Sequence, residues 1–121
     1  MDKRIAEKVK DLLDKAEELG WNVSKYEDYY TLQHYSPEGQ DFSFDVYMDD
    51  LGECVDERTY FVDSVYRSYD EYDPSLEAYY WLDDSGHGRN GAPYEMGDVY
   101  ADMKACEHMM LELWRALREM L

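Results

Sequence analysis

Hydrophobic positions change period several times along the chain, and each change marks an element. Ile5, Val9, Leu12, Leu13, Ala16 and Leu19 recur at helical spacing and predict an amphipathic helix over 2–19, with Gly20 just past its end. Lys3, Glu7, Lys8, Asp11, Lys15 and Glu18 give that helix a solvent face of mixed sign. Aromatic and β-branched residues then predict short strands over 21–26 and 29–35. Ser36-Pro37-Glu38-Gly39 carries the residue preferences of a type I turn, so a hairpin is expected there. From Asp41 to Asp49 the period is two. Phe42, Phe44, Val46 and Met48 fall on the core side, and Asp41, Ser43, Asp45, Tyr47 and Asp49 on the solvent side.

Helical spacing returns in the second half. Val55, Val62, Val65, Tyr66 and Tyr69 predict a helix over 54–71. Asp73-Pro74, as N-cap and first helical residue, starts a short third helix through Leu76, Tyr79 and Leu82. DDSGHGRNGA, 83–92, reads as a mobile surface loop. A last helix begins between Tyr94 and Val99. Its seam of Val99, Met103, Cys106, Met110, Leu113 and Leu117 is spaced 4-3-4-3-4. That seam suits core packing better than a homodimer, so a monomer is expected. The sum is an α+β fold in a single domain, 1–121: an N-terminal helix, a three-stranded antiparallel sheet, two shorter helices and a long C-terminal helix.

The helix, the Trp-led strand, the YSPEGQDFSFDV hairpin and the long last helix resemble a group of small acidic proteins carried by phages and other mobile elements of gut Firmicutes. The similarity runs over most of the chain. It implies a genomic setting, and no catalytic motif comes with it.

Charge narrows the function classes. The 121 residues hold 29 acidic and 12 basic side chains, a formal charge of -17. Non-specific binding to nucleic acid or to anionic membranes is thereby excluded as the main activity, because both need the opposite sign. The charge is also unevenly placed. Residues 21–98 hold nineteen acidic and four basic side chains, net -15, together with 12 of the 13 tyrosines. Tyrosine supplies large amphipathic contact area at interfaces for little entropy cost. The charged N-terminus MDKRIAEKVK lacks the apolar core of a signal peptide, and no apolar run could span a bilayer, so a cytoplasmic protein is expected.

The common catalytic constellations are missing. There is no phosphate-binding glycine motif, nucleophile elbow, HExxH or EF-hand loop. His34, His87 and His108 share no ligand spacing, and Asp83, Asp84 and His87 are read as surface charge in preference to a metal site. Cys54 has no neighbouring cation to activate it, and Cys106 falls inside the apolar seam. Neither enzyme, metal nor cofactor is expected.

Nucleic-acid mimicry uses what is present. Duplex DNA carries about one charge per 1.7 Å of axis, so fifteen net charges match roughly 25 Å, or about seven base pairs. The expected contact set starts with Asp41, Asp45 and Asp49 on the strand, continued by Asp50, Glu53, Asp56, Glu57 and Asp63. Tyr47, Tyr60 and Tyr72 would add ring contacts. Adjacent acids, Asp49-Asp50 or Asp83-Asp84, offer arginines that read base edges the fork they normally find on DNA. The expected partner is the basic DNA-binding channel of a host nuclease: Cas9 for an anti-CRISPR protein, or a restriction enzyme for an anti-restriction protein. A non-catalytic interaction module, with acid serving solubility alone, is the competing class.

Overall fold

The computed structural model describes residues 7–49, 56–80 and 96–121, and the side chains of Tyr79, Tyr80 and Met96 are not among those described. The element order is α1 (Lys10–Glu18), β1 (Asn22–Lys25), β2 (Tyr29–Tyr35), β3 (Asp41–Tyr47), α2 (Glu57–Glu71), α3 (Pro74–Tyr80) and α4 (Met96–Arg118). The three strands form one antiparallel sheet in the order β1-β2-β3. This is the α+β arrangement expected from the periodicities. The 83–92 segment and Leu82 lie outside the described residues, as do the proposed helix starts at 2 and at 54.

Local chemistry explains the boundaries. Helix α1 ends in a Schellman motif. The Gly20 N–H donates to Glu17 O and the Trp21 N–H to Ala16 O, both at 3.0 Å. Gly20 has φ +98°, a conformation that favours glycine, and a Cβ there would also crowd His34 Nε2 at 3.0 Å. The next residue, Trp21, is buried and meets Phe44 and His34 edge-on, with centroids 5.5 and 5.2 Å away. Asp56 caps α2, its carboxylate accepting from the Arg58 N–H and the Thr59 hydroxyl. Asp73 caps α3 in the same way through the N–H groups of Ser75 and Leu76.

The core is a single cluster joining one face of the sheet to the helices. All six seam residues of α4 are buried, and the helix packs on α3, α2 and α1, so the chain itself covers the seam. Cys106 lies inside it, where burial pushes its thiol up to about 12 and leaves it without nucleophilic character at neutral pH. Arg58 of α2 ties that helix to α1, to the residues just before it and to those just after α4. Its guanidinium donates to Lys8 O at 2.9 Å, to the Asp11 carboxylate, and to Met120 O at 3.3 Å. No described helix is long and apolar enough to cross a membrane.

Candidate partner-binding face

The hairpin between β2 and β3 sets which side chains reach solvent. Ser36 O accepts from the Gly39 N–H and the Ser36 N–H donates to Gln40 O, both at 2.9 Å, while Gly39 takes φ +88°. This is a three-residue hairpin loop with a left-handed glycine at its end. It is anchored from a distance by Asp102 of α4, which is 3% exposed. The Asp102 carboxylate accepts from Ser36 Oγ at 2.6 Å and from the Glu38 N–H at 3.2 Å. Ser36 Oγ in turn accepts from the Gln40 N–H at 2.9 Å.

With this register Asp41 pairs with Tyr35, Ser43 with Gln33, Asp45 with Thr31 and Tyr47 with Tyr29. One side chain in two therefore points away from the core along both strands, giving a polar, uncovered sheet face. Asp41 and Asp45 are exposed on it, four residues or about 13 Å apart along the strand. Asp49 is exposed just beyond the strand end. Thr31 Oγ1 donates to Asp45 Oδ1 at 2.7 Å, which holds that carboxylate upright on the face.

Aromatic rings close one end of the face. Tyr26 stacks on Tyr29 with centroids 4.6 Å apart and planes at 13°, and Tyr29 stacks on Tyr47 at 5.0 Å and 26°. Tyr26 and Tyr47 are about half exposed, at 49% and 50%. Desolvation by its neighbours, with the charges of Asp45 and Asp28 beside it, raises the Tyr29 phenol above its ordinary value. Tyr26 and Tyr29 are absent from the contact set expected from sequence. Their stack exists only through strand pairing, and the one sequence signal was their aromatic density.

The remaining expected residues divide into four groups. Asp63 is exposed on α2 and available to a partner. Asp56 and Glu57 are already engaged within the fold. Asp56 is the N-cap, with its carboxyl held low first by the Thr59 hydroxyl. Glu57 is held low by its own backbone N–H and by Lys8, whose Nζ lies 3.3 Å away. Tyr60 is half-buried and packs against the core. Tyr72 is turned inward: its hydroxyl donates to Met103 Sδ at 3.4 Å, its ring meets Phe42 edge-on, and burial raises its phenol strongly. It is a partly buried packing residue whose hydroxyl and ring edge are engaged within the fold. Asp50, Glu53, Asp83 and Asp84 lie outside the described residues, as do Cys54 and His87.

Among the described residues no three His, Cys, Asp or Glu side chains gather in a metal-binding group. Comparison of the chain with known protein families, with characterised proteins and with solved structures finds no match.

Proposed function

We propose that this protein is a stoichiometric inhibitor of a host defence nuclease that imitates nucleic acid, and that its target is Cas9, whose binding to target DNA it blocks. The observation that carries this reading is the uncovered sheet face, where Asp41 and Asp45 stand exposed beside a tyrosine stack, with Asp49 at its end. A channel lined with lysine and arginine, built to hold phosphates, attracts carboxylates by the same electrostatics, with fast and salt-sensitive association. The tyrosine rings add flat surfaces on which arginine guanidinium groups stack. Asp63 extends the acidic surface onto α2, whereas Asp56, Glu57 and Tyr72 serve the fold.

The test is a DNA-cleavage assay with guide-loaded Cas9, with the protein added before or after target DNA. Competition for the DNA site gives inhibition only when the protein comes first. Inhibition in either order assigns the block to a later conformational or cleavage step. Absence of inhibition across several Cas9 proteins refutes the Cas9 assignment and moves the test to restriction enzymes. The variant Asp41→Lys/Asp45→Lys/Asp49→Lys is expected to fold and to lose inhibition.

The exposed tyrosine stack also suits the second reading, an interaction module that binds another protein through aromatic contact. Salt separates the two. Mimicry weakens steeply between about 50 and 200 mM salt, and an aromatic interface does not.

A further inference from the structure

We propose that the outer edge of β3 receives an extended, lysine- or arginine-bearing segment of a partner protein as a fourth strand. Strand order leaves β3 at one edge of the sheet. Its pairing phase is fixed at both ends: the Ser36 N–H donates to Gln40 O and the Met48 N–H to Asp28 O, each at 2.9 Å. Hydrogen-bonded pairs alternate along an antiparallel ladder, so residues 42, 44 and 46 direct their backbone groups at β2. The N–H and C=O groups of Asp41, Ser43, Asp45 and Tyr47 therefore point outward. None of them has a backbone partner among the described residues.

This edge opens onto a trough whose far wall is α2. Two hollows of about 310 and 370 Å³ adjoin through shared walls at Ser68 and Glu71, and together they follow the strand from Asp41 to Asp49. Five carboxylates line them (Asp41, Asp45, Asp49, Glu71 and Glu77) against one arginine, Arg67. That imbalance selects the occupant. A second copy pairing through the same edge would set aspartate against aspartate, which is how natural sheets keep their edges from self-association. A basic strand meets complementary charge and gains the row of main-chain hydrogen bonds that drives strand addition. The inference rests on the acidic face binding a basic protein, and it does not require that protein to be a nuclease.

The experiment is an NMR titration of the full, isotope-labelled chain at low salt. The probe is a peptide of about eight residues alternating lysine and threonine. Controls are the glutamate-for-lysine peptide and a lysine peptide N-methylated on the backbone edge that would pair. Expected are slowed exchange and shifted resonances at the amides of Asp41, Ser43, Asp45 and Tyr47, with at least about tenfold weaker binding by either control. Ser43→Pro, which removes one outward N–H at an edge position and keeps every charge, is expected to weaken binding similarly. Equal binding by the N-methylated peptide overturns the proposal, because charge alone then suffices. So does the absence of binding by the lysine peptide, or protection that misses those four amides. If Ser43→Pro fails to fold, the N-methylated peptide decides. No nuclease is present, so a negative result here leaves the cleavage assay to judge the inhibitor reading separately.

Discussion

Replacing Asp102 tests the account of how the acidic face is held. Its carboxylate is buried and accepts hydrogen bonds from Ser36 Oγ and the Glu38 N–H. Hydrogen bonds to a charged group contribute about 1.5–3 kcal/mol each, and a buried donor left without a partner costs about 1–3 kcal/mol. The two bonds share one acceptor group and are not additive, so Asp102→Ala is expected to cost about 3 kcal/mol. For a domain of this size that lowers Tm by about 10 °C. Asp102→Asn keeps one acceptor oxygen and should cost about half as much. Urea unfolding followed by tryptophan fluorescence measures both, with exposed Glu112→Ala as the surface control. A double-mutant cycle with Ser36→Ala should return a coupling of about 1–2 kcal/mol. If Asp102→Ala destabilises no more than the Glu112 control, or the cycle shows no coupling, the turn is not anchored in this way.

Other perturbations probe separate parts of the argument. Gly20→Ala combines a left-handed backbone with a contact against His34 and should cost about 1–3 kcal/mol by thermal unfolding. Asp11 and Asp56 have carboxyls lowered by Arg58 and Thr59 respectively, so their folded values lie below the unfolded ones near about 4. Their stabilisation is full above that pH and is lost as pH falls through the lower folded values; Asp11→Asn should flatten this acid limb in urea titrations at stepped pH. In Cys54→Ser protein, a thiol reagent should find Cys106 unreactive until the chain unfolds, as seen by stopped-flow absorbance with and without denaturant. Tyr72→Phe should leave nuclease inhibition unchanged, since that hydroxyl faces Met103; Tyr47→Ala should reduce it in the same assay.

What could be read from sequence followed the range of the interactions. The alternation from Asp41 to Met48 identified β3 and its exposed side because a period of two is a local property, and only Phe44 is less buried than expected. The α4 seam was legible for the same reason. Asp56 reads in sequence as one surface acid among many, and only its hydrogen bonds from the Arg58 N–H and the Thr59 hydroxyl separate a capping acid from a free one. Tyr72 sits among surface acids in sequence, but the turn from α2 into α3 carries it inward against Phe42. The Tyr26–Tyr29–Tyr47 stack depends on register across three segments, and Asp102 on a turn 66 residues earlier. Neither long-range relation leaves a periodic trace.

That separation of 66 residues also sets an order of events during synthesis. At about 5–20 residues per second, the ribosome makes Asp102 roughly 3–13 s after Ser36. The hairpin can close within microseconds of emerging. Its turn then waits, with the Ser36 hydroxyl and the Glu38 N–H bonded to water, although α1 is already made and α2, whose Phe61 meets Tyr30, follows well before Asp102. The acidic face of the sheet can thus form early in the nascent chain, whereas its turn is anchored only when the last helix brings Asp102 to Ser36 and Glu38.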